Sequence, residues 1–359
     1  MEQNSDISLA IINDKLQKGF NTKLCAVPDN MKKDCTGKII KAHTISKCLG
    51  LSSIAINGKV CGLQKSNLHE IDKNNGEFKL VELGVQQASI LQCFCSKHDK
   101  EIFSKIENLD FQVTSEQCFL LAYRAFTSEY YKTIVSPVPD IFSENIDKIF
   151  NSLIQDIPDY IDRNEILKSW KDNLLNQDSY LKGVEYKKRD LEIDKKTFDY
   201  ILLNKDFLKM RHYIFEGDRV SNVVCSFTLN PNISFNNEII QDYFCPDYVA
   251  SVYINSISRN NKSYVIFSWI NEDYNNTIIE NFFGKLRDLD NNKIENDILE
   301  FIFKNCENTY FSINWFKSLH QTQKKYLKNW IQPRANRELN NSDHKIRFMN
   351  LQKHYLLNT

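Results

Sequence analysis

The sequence predicts an α+β protein: a cysteine-bearing N-terminal module, a helical middle, and a C-terminal antiparallel sheet with helices on one side. Three observations predict it. Seven of the ten cysteines fall between Cys25 and Cys118. From Ile141 to about Tyr213, charged and apolar residues mix at helical spacing, as in LKGVEYKKRDLEIDKKTFDYILLNKDFLKMRHYIF. After Gly217-Asp218 the runs NVVCSFTL, DYVASVYINSI and SYVIFSWI are β-branched and aromatic, bounded by NPN, CPD and RNNKS turns. These observations divide the chain into 1–135, 136–215 and 216–359, with SPVPD (Ser136 to Asp140) as the first break.

Composition limits the function classes. A chain of 359 residues can hold two or three cores, at ~150 residues per domain. Hydrophobic residues make up 42% and charged residues 26%, ordinary for a globular protein. Lys+Arg and Asp+Glu are both 46, so no overall basic excess announces a nucleic-acid partner, and any such surface must be local. The N-terminus lacks a basic start followed by an apolar run. No stretch approaches the ~20 apolar residues of a membrane span. A cytoplasmic chain with no membrane partner is expected, and its cysteines are then thiols or metal ligands rather than disulfides.

Cys48, Cys61, Cys118, Cys225, Cys245 and Cys306 sit in apolar or aromatic surroundings and read as small buried hydrophobes. Cys25, Cys35, Cys93, Cys95 and His98 do not. Cys25 and Cys35 bracket the turn-rich KLCAVPDNMKKDCTGK, a loop able to bring two thiolates together. The spacing C-x9-C exceeds the usual two to four. LQCFCSKHDKEIF places Cys95 and His98 on the first turn of a helix predicted from about Ser96 to Asn108. A helix N-terminus favours a thiolate. Zinc takes four tetrahedral ligands, commonly one pair from a turn and a second from elsewhere. The predicted structural Zn2+ ligands are therefore Cys25, Cys35, Cys95 and His98. Cys93 shares a face with Cys95 in an extended approach strand and is the reserve ligand.

Between the two pairs, Ile39, Ile40 and Ala42 suggest a strand leading into His43, and Thr44 or Ser46 starts a short helix through Ala55. Asn57-Gly58 reads as a tight turn into Lys59-Val60. NLHEIDKNNGEFKLVE reads as a polar loop. Ser115 to Lys132 is a helix with Ser115 as N-cap, from which Arg124 and Glu129 project, either to pair with residues of the cysteine-bearing module or, the preferred reading, on a solvated face. Beyond the C-terminal strands, NNTIIENFFGKLRDL, KIENDILEFIFKN and SINWFKSLHQTQKKYLKNWI read as helices, and the tail from Gln332 as a mobile segment or a last helix.

Cys25, Cys35, Ala42-His43 with Ile45-Ser46, and FCSKHDKEIF together resemble a treble-clef zinc module of the HNH-nuclease type. The similarity is to bacterial proteins of uncertain function and covers roughly Asn21 to Lys132. It implies structural zinc on Cys25, Cys35, Cys95 and His98, and puts His43 where HNH enzymes carry the histidine that activates water. Asp99, one of two positions (with Phe103) for a second ligand on the helix, would then hold Mg2+. Asn57 is available as the middle asparagine. The chain departs from the pattern in having Ala42 where a metal-holding acidic residue or histidine precedes the histidine.

His43 keeps three readings: a structural hydrogen-bonding histidine, a replacement zinc ligand, or a general base. Asp99 has a plain reading too, as an acidic residue stabilising a helix start. Between Asn21 and Cys48, Lys23, Lys32, Lys33, Lys38, Lys41 and Lys47 face only Asp29 and Asp34, a local excess suited to phosphate and equally ordinary in a solvated loop. The preferred expectation is a zinc-binding protein that takes nucleic acid (DNA or RNA) or a protein partner. The alternative is a divergent HNH-type, Mg2+-dependent endonuclease, for which the resemblance prompts a setting in bacterial phage defence. No phosphate loop, G-x-S-x-G or H-E-x-x-H is present.

Overall fold

The computed structural model describes residues 23–64, 77–108, 110–135, 178–242, 245–332 and 345–357. The SPVPD break and the helical reading of 141–177 lie outside them. The strands are β1 (Ala42–His43), β2 (Lys59–Leu63), β3 (Leu80–Gly84), β4 (Ile90–Leu91), β5 (Met210–Gly217), β6 (Val223–Leu229), β7 (Val252–Arg259), β8 (Lys262–Ile270), β9 (Thr309–Phe311) and β10 (Leu351–Leu357). The longer helices are α1 (Ser96–Glu107), α2 (Ser115–Ile134), α3 (Asp178–Asn204), α4 (Asp273–Phe283), α5 (Asn291–Asn305), α6 (Ile313–Ser318) and α7 (Gln321–Trp330).

Eight strands make one antiparallel sheet in the order β10-β5-β8-β7-β6-β9-β2-β3. The β2–β3 hairpin of the cysteine-rich stretch thus continues the C-terminal sheet, with Cys61 opposite Phe311. β1 and β4 form a separate ladder, Ala42 opposite Leu91 and His43 opposite Ile90. Turn chemistry follows the sequence. Asn57 and Gly58 both take positive φ, 51° and 72°, as do Asn260 and Asn261 at the β7–β8 hairpin, 52° and 57°. A two-residue turn matching strand twist requires this, and asparagine tolerates it.

Both faces of the sheet are covered, which corrects the expectation of helices on one side. Along β8, Val265, Phe267 and Trp269 enter one core with α4 to α7, while Tyr264, Ile266 and Ile270 enter another with α1, α2 and α3. SYVIFSWI is apolar but for Ser263 and Ser268, both fully buried, and shows no polar alternation, the pattern of a strand buried on both sides. Helix α2 is buried nearly all round, from Gln117 to Ser128, as its continuous apolar run requires. Its N-cap is Thr114, not Ser115: Thr114 accepts from the Gln117 N–H and the Gln117 side chain reaches back, closing a capping box.

Three segments differ from the sequence reading. The helical pattern stops at Asn204, and MRHYIFEG is strand β5, because β8 and β10 pair with it on both sides. The end of the predicted polar loop supplies edge strand β3, and the tail supplies β10. Strand β10 has one strong anchor. Glu295 on α5 is fully buried and accepts from the N–H groups of Phe348 (2.6 Å), Met349 (2.9 Å) and Asn350 (3.2 Å) at Oε1, and Leu351 (3.0 Å) at Oε2. Gly217 lies so close beneath this entry that a Cβ there would meet the Met349 carbonyl oxygen at 2.2 Å.

His212 on β5 is buried, with Nδ1 2.8 Å from Ser268 Oγ and Nε2 without a partner. Burial pulls its pKa from 6.5 down to about 3. The unfolded chain therefore binds a proton here that the folded chain refuses between those two values. His212 leaves stability intact above its unfolded pKa and removes it as pH falls from 6.5 toward 3. The expected slope is ~1.4 kcal/mol per pH unit in that window. Urea midpoints measured from pH 7 to pH 5 check this: His212→Phe will show a shallower decline than wild type, whatever its offset.

Candidate metal centre

The centre is assembled from the two ends of a short ladder. Ile39 bridges Cys95, the Ile40 N–H donates to the Phe94 carbonyl (3.1 Å), and the Ser96 N–H donates to the Lys38 carbonyl (3.2 Å). This pairing fixes the loop carrying Cys25 and Cys35 against the start of α1. Cys35 ends the short 3-10 helix Asp29–Asp34, whose carbonyl at Lys32 takes the Cys35 N–H at 3.1 Å. Cys25 is held by the next residue, whose N–H donates to the Cys93 carbonyl at 2.9 Å. Cys95 occupies the N-cap of α1 in extended conformation, and His98 sits one turn in.

The four predicted ligands converge. One ligand atom from each of Cys25, Cys35, Cys95 and His98 lies within 4.8 Å of all the others. His98 Nδ1 is 3.6 Å from Cys25 Sγ, 3.5 Å from Cys35 Sγ and 3.3 Å from Cys95 Sγ. A tetrahedral ion with ~2.3 Å bonds to sulfur and ~2.0 Å to nitrogen separates the two donors by about 3.6 Å, so the spacing is that of ligands around one ion. Cys95 and His98 are buried, and Cys25 and Cys35 half-buried. The group can hold a metal ion. Cys93 and His43 lie outside it. Cys93 is wholly buried in the aromatic core under α2, its thiol pushed upward by burial.

The thiols of Cys25 and Cys95 differ in electrostatics. Burial raises Cys25 to about 12, with the neighbouring thiols of Cys35 and Cys95 adding to the rise. Cys95 falls to about 6: burial opposes the charge, but the His98 and Thr36 N–H groups, the Thr36 hydroxyl and the Cys25 thiol outweigh it. Cys95 is thus a thiolate at neutral pH, the effect expected of a cysteine at a helix N-terminus. The Cys95 N–H in turn donates to Cys25 Sγ at 3.3 Å.

His43 stands apart from this group, half-buried, with Nδ1 2.8 Å from the Ala88 carbonyl oxygen. That bond puts the proton on Nδ1 and leaves Nε2 as the free lone pair. Burial lowers its pKa, the Ala88 carbonyl pulls the other way, and Lys47 and Arg124 add to the fall. Asp99 faces Arg124, with Oδ1 3.7 Å from Nη2. Burial raises the Asp99 pKa against the opposing pull of Arg124.

Arg124, for which the sequence favours a solvated face over pairing with the module, is 3% exposed and takes the second course. Its Nη2 donates to Glu107 Oε1 at 2.9 Å, and its guanidinium lies 4.0 Å above the Phe103 ring. The signal was in LLAYRAFTS: a helix apolar on every side offers an arginine no wet face. Glu129, also read as solvated, pairs with Lys187. Among the six cysteines read as buried, Cys61, Cys118, Cys225 and Cys306 are buried, while Cys48 and Cys245 are half-exposed.

Comparison with family models, curated proteins and solved structures finds no match to this chain. Among the described residues, no helix is long and apolar enough to cross a membrane.

Proposed function

We propose that Cys25, Cys35, Cys95 and His98 hold one structural zinc ion in a treble-clef-like module, and that the chain is a binding protein for a phosphate-bearing partner, DNA or RNA. The convergence of three sulfurs on His98 Nδ1 at 3.3 to 3.6 Å carries the metal reading. Zinc suits this donor set because thiolate and imidazole are its preferred ligands and a closed set of four leaves no open position for catalysis. The partner reading is supported by Lys23, Lys32, Lys33, Lys38 and Lys41, all exposed on the stretch from the Cys25–Cys35 loop to the start of β1.

Two measurements test this. Metal content by mass spectrometry is expected to give one zinc per wild-type chain and none in Cys95→Ala. Anisotropy with short DNA and RNA duplexes and single strands is expected to show affinity that falls steeply with salt, and at least tenfold with Lys32→Glu/Lys33→Glu/Lys38→Glu. Unchanged affinity in that variant sinks the lysine-face reading. No binding at any salt moves the search to a protein partner.

One observation favours an enzymatic reading, a divergent HNH-type endonuclease. The Ala88 carbonyl holds the His43 ring with Nε2 free, the arrangement a general base needs. Plasmid cleavage abolished by His43→Ala, with zinc content unchanged, would establish it.

A further inference from the structure

Helix α1 carries Asp99, Phe103 and Glu107 at four-residue intervals, so the three share one face. Arg124 of α2 lies across that face. One guanidinium nitrogen, Nη2, is 2.9 Å from Glu107 Oε1 and 3.7 Å from Asp99 Oδ1, and the plane rests 4.0 Å above Phe103. The arginine side chain is 3% exposed and that of Asp99 14%. Asp99 and Phe103 are the two positions at which the resemblance to HNH nucleases would place a magnesium ligand on the helix. Both are covered by the same guanidinium.

We infer that Arg124 is the resident cation of this face: it occupies the place that a divalent ion would need at Asp99, so the chain binds no magnesium there. The fit of Mg2+ fails on three counts. Magnesium demands near-octahedral oxygen coordination and retains several waters, whereas Phe103 and the guanidinium close the face with carbon and N–H groups. A second cation would meet a guanidinium that is itself buried, on a helix buried from Gln117 to Ser128. An arginine is never deprotonated in proteins, so the site cannot be vacated by titration. Asp99 Oδ1 and Arg124 Nε and Nη1 are buried without hydrogen bonds, so the cluster is held by the Arg124 Nη2–Glu107 bond, by charge and by ring stacking. In this arrangement Arg124 is a positioning residue. It fastens α1, whose first turn carries Cys95 and His98, to the helix that covers the sheet.

The inference is separate from the zinc proposal, and the test reads the two independently. Full-length, zinc-loaded protein is titrated with Mn2+, followed by the electron paramagnetic resonance signal of the free ion, while zinc is counted in the same samples. Wild type and Asp99→Asn are expected to give the same titration, with no saturable Mn2+ site that depends on Asp99. Arg124→Ala, which removes both the charge and the cover over Asp99 and admits water, is expected to gain a saturable site for one Mn2+ that Arg124→Ala/Asp99→Asn lacks. A saturable Mn2+ site in wild type that Asp99→Asn abolishes overturns the inference. The comparison of wild type with Asp99→Asn stands even where Arg124→Ala fails to fold. Loss of zinc in wild type would contradict the metal centre and leave the Mn2+ result unaffected.

Discussion

Cys95→Ala will lose its zinc and at least ~4 kcal/mol of folding stability, and chelation of wild-type protein will do the same. Binding of a structural zinc is worth ~10 kcal/mol or more in small zinc peptides, where the metal is the main source of order. Here the aromatic core around Phe94, Phe103 and Tyr123 shares the task, so a fraction of that figure is expected. Cys93→Ala is the control. Cys93 is buried two residues away but lies outside the ligand group. It will keep a full equivalent of zinc and lose only ~1–2 kcal/mol, the loss of a small buried hydrophobe. Equal zinc loss in both variants would mean that the fold, not ligation, was measured.

Glu295→Gln is expected to destabilise the protein by ~3–5 kcal/mol, the range for breaking a buried charged network. The carboxylate has no solvent exposure and serves four backbone N–H groups between Phe348 and Leu351. The amide keeps one acceptor oxygen and turns two donors toward donors, so at least one N–H is orphaned in the interior. Because those N–H groups lead straight into β10, its amides will exchange with solvent far faster than those of β7 and β8 in the same molecule. A midpoint within 1 kcal/mol of wild type, with β10 protection intact, would show that Glu295 is not the anchor.

The cysteine–histidine group able to hold a metal ion was legible in the sequence because ligand chemistry is local. The dense CFCSKH and the turn-rich stretch between Cys25 and Cys35 carried residue types that a core does not need in that pattern, and all four predicted ligands come together. Cys95 rather than Cys93 joins the group for a reason the sequence also held: Cys95 and His98 lie one turn apart across the N-cap of α1. The strands after Gly217 were equally legible from their β-branched runs. What failed was non-local. MRHYIFEG continues a helical texture and becomes strand β5 only because β8 and β10 flank it. The tail becomes β10 through a carboxylate more than fifty positions earlier. Arg124 appeared to be one charge on a helix, and its burial depends on how α2 lies between α1 and the sheet. His43 was placed correctly at the end of a short strand, but the bond that sets its tautomer comes from Ala88, forty-five residues away.

The most direct test of the central claim is X-ray absorption at the zinc edge on purified wild-type protein. The geometry of Cys25, Cys35, Cys95 and His98 predicts three sulfur neighbours at ~2.3 Å and one nitrogen at ~2.0 Å, with no oxygen. A shell of nitrogen and oxygen, or two sulfurs only, would contradict a closed Cys3His centre; no zinc at all would return the three thiols and His98 to the protein interior as ordinary packing groups.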